Sequence, residues 1–288
     1  MALGAITLAW LDHLAERSII PPGAVLELGP QDVTAARPVV TSFLNRRLGP
    51  DEGASAFQRM YGDIPSDLPQ FAERPQAEIY RSLGLTEYVS VDLGDSRADV
   101  NHDLNYPLDV GRRFQAVTNF GTGEHIFNVS TVFETQYRNL AVGGVALFYL
   151  PTFGHINHGF YNIHPTLFTD LAAANNMEIA DFRYVDDVVG RTYGLDDEGS
   201  CQVDFDTMPV KPFEGQLWIL WMYVSMNFLR NTAKHMKNAP PGKPPTCVLD
   251  CCMVALRRTD ASPAEFRTPQ QNIYVGPTAP AANPRQRA

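Results

Sequence analysis

The stretch FQAVTNFGTGEHIFNVSTVFETQYRNLAVGGVALFYLP, residues Phe114–Pro151, reads as one strand–helix–strand unit. FQAVTNFG (Phe114–Gly121) is a short apolar run of the length expected for a buried strand. Asn128–Leu140 carries Val132, Phe133, Gln136, Tyr137 and Leu140 along one side at helical spacing. Gly143 and Gly144 interrupt the pattern, and VALFYLP (Val145–Pro151) is a second buried run. Buried strands that alternate with helices imply parallel crossovers, and hence an open α/β sheet with helices on both faces.

The alternation continues on both sides of this unit. AVLELG (Ala24–Gly29), EYVSVDLG (Glu87–Gly94), MEIADFRYV (Met177–Val185) and CVLDCCMVAL (Cys247–Leu256) read as strands, with a shorter one near Asn101–Asn105. Helices fit Ala36–Leu48, with Pro38 near its start and Gly49 as its stop, Glu73–Leu83 before Gly84, and PTLFTDLAAANN opened by Pro165. The first eighteen residues, MALGAITLAWLDHLAERS, read as an amphipathic helix rather than a signal peptide, because a basic n-region is missing and Asp12 cuts the apolar run. Residues 1–274 are expected to form one domain and 275–288 a disordered tail. Within it, 190–245 reads as an insertion of loops around a helix at 217–235. Trp218, Trp221, Met222, Tyr223, Met226 and Phe228 make that helix a core or homodimer-interface element, with a lid over the substrate as the alternative.

Charge narrows the function. The 288 residues carry 23 Lys and Arg against 32 Asp and Glu, a net charge of −9. That balance gives no general attraction to phosphate backbones or anionic membranes, so neither nucleic acid nor membrane is an expected partner. The longest apolar run, Leu217–Leu229, contains Ser225 and Asn227 and falls short of the roughly 20 residues a span requires. Cys247 and Cys251 should share one face of their strand, with Cys252 on the other; together with Cys201 they lack zinc-site spacing and read as buried free thiols of a cytoplasmic protein.

Ligands of an open parallel sheet bind at the carboxyl ends of its strands, near the point where strand order reverses. Here those ends read Glu27-Leu28-Gly29-Pro30-Gln31, Asp92-Leu93-Gly94, Asp103-Leu104 and Asn119-Phe120-Gly121-Thr122-Gly123-Glu124-His125. An acidic residue that ends the second strand can accept from both hydroxyls of a ribose, and Asp92 stands there; a turn aspartate is the alternative.

In this order the motifs resemble class I S-adenosylmethionine-dependent methyltransferases, and in particular a bacterial group of methyltransferase-domain proteins with an NFGTxEH stretch. The resemblance spans roughly residues 22–184 and includes NFGTGEH (Asn119–His125), VGGVALFYLP (Val142–Pro151) and HGFYNIHP (His158–Pro165). It implies a Rossmann-like doubly wound, mostly parallel seven-stranded sheet with an antiparallel last strand, and methyl transfer to an oxygen or nitrogen of a small molecule such as a carbohydrate or secondary metabolite. It also implies S-adenosylmethionine contacts from Glu27, Leu28, Gly29, Gln31, Asp92, Leu93, Asp103, Leu104, Asn119, Phe120 and Gly121. Glu124, His125 and His158 are the expected catalytic residues, since a neutral histidine can take a proton from the acceptor.

Two departures stand out. Gln31 occupies the place of a glycine in the family's first loop and Pro30 removes a backbone donor. Glu27 and Asp92 lie 65 positions apart, so an extra segment around Arg47–Phe71 must separate the first helix from the second strand. A non-catalytic binding or scaffold subunit with a degenerate loop is therefore the alternative. A nicotinamide oxidoreductase ranks lower without GxGxxG, as does a metal-dependent hydrolase built on His155, His158 and His164. No metal is expected.

Overall fold

The computed structural model describes residues 2–62, 75–153, 155, 158–186, 191–195, 201–202 and 250–271. In chain order these form α1 (Ala5–Glu16), β1 (Gly23–Leu28), α2 (Arg37–Leu48), α3 (Pro50–Tyr61), α4 (Pro75–Ser82), β2 (Leu85–Asp92) and β3 (Val100–Asn101). They continue with β4 (Phe114–Phe120), α5 (Val129–Asn139), β5 (Leu140–Phe153), α6 (Thr166–Ala174), β6 (Glu178–Asp186), β7 (Arg191–Leu195), β8 (Cys201–Gln202) and β9 (Asp250–Arg257).

One sheet runs β3-β2-β1-β4-β5-β9-β6-β7-β8. Strands β3, β2, β1, β4 and β5 are mutually parallel. β9 inserts antiparallel between β5 and β6. The seven strands from β3 to β6 are thus the doubly wound, mostly parallel sheet with a reversed last strand read from the sequence. β7 and β8 extend its edge as an antiparallel pair, where the sequence reading placed only loops. The helix at 217–235, the rest of 203–249 and the tail at 275–288 lie outside the described residues.

Strand alternation divides the core into two layers. Val25, Phe120, Leu147, Tyr149, Cys251 and Met253 face α1 to α4. Leu26, Leu28, Val117, Phe148, Leu150, Cys252 and Val254 face α5 and α6. Cys251 and Cys252 are buried thiols on opposite faces, as their adjacency in a strand requires.

Of the extra segment expected around Arg47–Phe71, residues 50–61 form α3, and 63–71 lie outside the described residues. Gly49, at φ +84°, stops α2 and turns the chain, and Pro50 starts α3 at its first position. Gly53 lets α3 pass close to α2, since a Cβ there would sit 2.3 Å from Asn45 Oδ1. No helix among the described residues is long and apolar enough to cross a membrane.

A buried polar network fastens α1 to β6. Trp10 Nε1 donates to Asp181 Oδ2 over 2.7 Å, and Arg183 reaches the same carboxylate at 2.8 and 3.1 Å and contacts His13 Nε2 at 2.7 Å. Asp181 is 8% and Arg183 2% exposed. Removing one partner leaves a buried charge uncompensated. Asp181→Ala should therefore lower stability by about 3–5 kcal/mol, measured by urea unfolding, whereas exposed Glu52→Ala should change it by less than about 1 kcal/mol.

Candidate functional site at the strand ends

The carboxyl ends of β1, β2, β4 and β5 lie along one edge of the sheet because the four strands are parallel. At the end of β1, Glu27 is fully buried. It accepts from Tyr80 (2.6 Å), Tyr88 (2.5 Å) and the Gln31 backbone (3.2 Å). Burial pushes its carboxyl from an ordinary 4.5 up to about 7, against these hydrogen bonds and the nearby Arg97 charge. Leu28 is buried in the core. Gln31 turns its amide back onto the Gly29 carbonyl at 2.9 Å.

Gly29 has φ +75°, and a Cβ on it would meet Thr122 Oγ1 at 2.4 Å. Thr122 in turn donates to the Leu28 carbonyl over 2.6 Å. The glycine is thus required by contact between the turns after β1 and β4. The sequence reading did not single out Thr122, although it stands inside the NFGTGEH motif.

Asp92 Oδ1 accepts from the backbones of Gly94 (2.8 Å) and Asp95 (2.9 Å), which is the turn role; its second oxygen takes no part in these bonds. Leu93 beside it is 59% exposed. Arg97, also unforeseen, ties this turn to the one after β1, reaching Asp95 (2.6 Å), Asp32 (2.7 Å) and the Pro30 carbonyl (3.2 Å). No periodicity marks such an arginine, because its partners come from two loops. Asp103 Oδ1 accepts two bonds from Asn105, which hold its carboxyl below the usual range. Leu104 is buried, and its carbonyl accepts from Thr131.

After β4, Asn119 points inward and receives the Gly123 N–H at 3.0 Å. The Phe120 ring packs edge-on against Trp10 in the core, so only its backbone belongs to the strand end. Gly121 takes φ +87° and starts the turn. A short 3-10 turn, Gly123–His125, then presents Glu124 and His125.

Glu124 is fully buried. Its Oε1 lies 3.3 Å from His158 Nε2 and 3.8 Å from His125 Nε2, and the two imidazole centroids are 4.9 Å apart. One donor atom from each of the three residues lies within 4.8 Å of the others. Among the described residues, Glu124 Oε2 is buried with no hydrogen-bond partner. Burial holds His125 below the ordinary imidazole range; Glu124 opposes this and His158 adds to it.

The loop after β5 is held on Glu124 by backbone bonds, since its carbonyl accepts from Phe160 (2.8 Å) and Tyr161 (3.2 Å). Gly159 permits this approach, as a Cβ there would stand 2.8 Å from the Glu124 oxygen. Of the other histidines, His155 packs edge-on against the His158 ring at 5.2 Å but turns its Nε2 to Cys251 Sγ at 3.3 Å, and His164 Nδ1 meets Thr166 Oγ1 at 2.9 Å. Phe127 and Phe160, 72% and 68% exposed, pack edge to face at 6.1 Å beside the cluster. Single exposed phenylalanines give a sequence no signal; only folding pairs them.

No family model matches the chain, and no curated protein does. Solved structures similar to it include a putative methyltransferase from Bacillus halodurans, at 12% identity over 88% of this chain and 98% of that one, with a TM-score of 0.43. An O-methyltransferase from a trans-AT PKS multienzyme of Brevibacillus brevis, in complex with S-adenosyl-L-homocysteine, matches at 10% identity over 88% and 72%, with a TM-score of 0.41. A methyltransferase from Geobacter sulfurreducens, in complex with the same compound, matches at 11% identity over 90% and 94%, with a TM-score of 0.38. Likenesses of this degree assign the chain no family, and its fold class rests on its own strand order.

Two outcomes follow from this geometry. Gly159→Ala should force the β5 loop off Glu124, costing about 1–3 kcal/mol in urea unfolding and shifting the His158 imidazole resonances in NMR spectra. Glu27 holds its proton to higher pH in the folded chain than in the unfolded one. Its contribution is therefore complete below pH 4.5 and is lost as pH rises to about 7. The loss should be about 3 kcal/mol, and Glu27→Gln should flatten that slope in unfolding measured across the same pH range.

Proposed function

We propose that the chain transfers a methyl group from S-adenosylmethionine to an oxygen or nitrogen of a small acceptor. The observation that carries this reading is the disposition of polar groups about the switch point between β1 and β4. Asp92 closes β2 on one side, and Glu124, His125 and His158 gather beyond β4 and β5 on the other. Ligands of open α/β sheets bind at such a switch point, and in this reading the ribose would lie beside Asp92 and the reacting group beside Glu124.

The residues fit the adenosine half of the cofactor. The second oxygen of Asp92 would accept from a ribose hydroxyl, and exposed Leu93 offers an apolar surface for the base. Asp103 and the Leu104 backbone would flank the base's polar edge. The backbones of Leu28, Gly29 and Gln31 and of Asn119, Phe120 and Gly121 would line the methionine half. When bound, the cofactor supplies a methyl group on a positively charged sulfur.

The chain's own part is alignment and activation. Phe127 and Phe160 would receive an apolar portion of the acceptor, and the Glu124 carbonyl fixes the loop that carries His158. An uncharged imidazole of His125 or His158 would take the proton that an acceptor hydroxyl must lose, while Glu124 orients the ring and stabilises its charged form. Alignment of nucleophile, methyl carbon and sulfur supplies the remainder.

Calorimetric titration with S-adenosylhomocysteine tests the reading. Wild type should bind in the micromolar range, Asp92→Ala should lose binding, and His125→Ala should retain it. Once an acceptor is found, His158→Ala should lower turnover by about 10²–10⁴-fold. Absence of binding up to millimolar concentrations, for both the cofactor and its product, would overturn the proposal.

A further inference from the structure

We propose that Glu124, His125 and His158 bind a first-row divalent transition-metal ion whose open positions take the acceptor's oxygen. Two imidazoles and one carboxylate form the ligand set that zinc, iron and related ions accept, and three protein ligands leave room for a substrate atom.

The geometry is nearly in place. Metal–ligand bonds of about 2.0–2.2 Å at tetrahedral angles separate donor atoms by roughly 3.3–3.5 Å. Glu124 Oε1 and His158 Nε2 are 3.3 Å apart, Glu124 Oε1 and His125 Nε2 3.8 Å, and all three donor atoms lie within 4.8 Å of one another, so binding an ion requires the imidazoles to draw in toward it. Both ligand segments are rigidly held. The Asn119 side chain grips the turn that bears Glu124 and His125, and the Glu124 carbonyl grips the loop that bears His158.

A second observation points to a cation. Glu124 Oε2 is buried without a hydrogen-bond partner among the described residues. An unsatisfied buried carboxylate oxygen is costly, and an ion held by both carboxylate oxygens would offset that cost. Access is provided by the imidazoles, with side chains 44% (His125) and 22% (His158) exposed, against 0% for Glu124.

The use of the ion rests on the methyl-transfer reading and narrows it to oxygen acceptors. A hydroxyl bound to the ion becomes more acidic and releases its proton to water. The oxygen lone pair then forms a bond to the methyl carbon, and the carbon–sulfur bond breaks with its electrons left on sulfur. The products are a methyl ether, S-adenosylhomocysteine and a proton, and the metal does not change oxidation state. Imidazole lone pairs given to an ion are not available for proton transfer, so this role replaces the histidine base of the metal-free site.

The test is titration of the metal-stripped full chain with Co²⁺, followed by its visible d–d absorption, with Zn²⁺ as competitor. One equivalent should give bands that Zn²⁺ abolishes. His125→Ala and His158→Ala should each lose the bands, while His164→Ala and Cys251→Ser should keep them. Circular dichroism confirms that each variant is folded, and S-adenosylhomocysteine calorimetry reads cofactor binding separately. The proposal is overturned if wild type shows no bands, if the bands survive His125→Ala with His158→Ala, or if Cys251→Ser removes them. Bands without S-adenosylhomocysteine binding would retain the ion site and remove methyl transfer; binding without bands would do the reverse.

Discussion

The Thr122 hydroxyl donates to the Leu28 carbonyl at the place where strand order reverses, and much of the site depends on that bond. The bond holds the turns after β1 and β4 in direct contact at the switch point. The bond requires a residue without a Cβ at position 29, because the threonine occupies that space. Glu27, Gln31 and Arg97 then brace the same turn from below and from the side. Pro30 and Gln31, which look like losses when compared with a glycine-rich loop, sit in a turn held by side-chain bonds.

Two fully buried carboxylates at this edge meet different fates. Glu27 is surrounded by phenolic hydroxyls and a backbone N–H, and burial raises its pKa so that it is partly protonated near neutrality. It serves as a brace. Glu124 has imidazoles near one oxygen and, among the described residues, no hydrogen-bond partner on the other. That unpartnered oxygen is one of the observations from which the ion site is proposed.

Much of the architecture was legible in the sequence because strand burial imposes strong local patterns. Short, largely apolar runs at Ala24–Leu28, Phe114–Phe120 and Val145–Pro151 identify strands covered on both faces, and the helices between them follow from spacing and from Pro38, Gly49 and Gly84. Alternation also placed Cys251 and Cys252 on opposite faces. The α3 helix was not read as a helix, since its only clear start signal, Pro50 after Gly49, coincides with the stop of α2. β7 and β8 went unread because edge strands among glycines and acidic residues lack an apolar run.

The sequence by itself determined the α/β alternation, the strand ends at which chemistry-bearing residues stand, and the nearness of Glu124 to His125. Those are properties of neighbouring residues and of period. Tertiary structure decided which histidine reaches Glu124: His158 does so, while His155 packs on the His158 ring with its Nε2 at Cys251, and His164 turns to Thr166. It also decided that Phe120 faces the core, that Asp92 spends one oxygen on its own turn, and that Arg97 bridges two loops. The physical reason is the same throughout. A side chain's partner across the sheet is set by loop paths and close backbone approaches such as that of Gly159 to Glu124, and these leave no periodic trace along the chain.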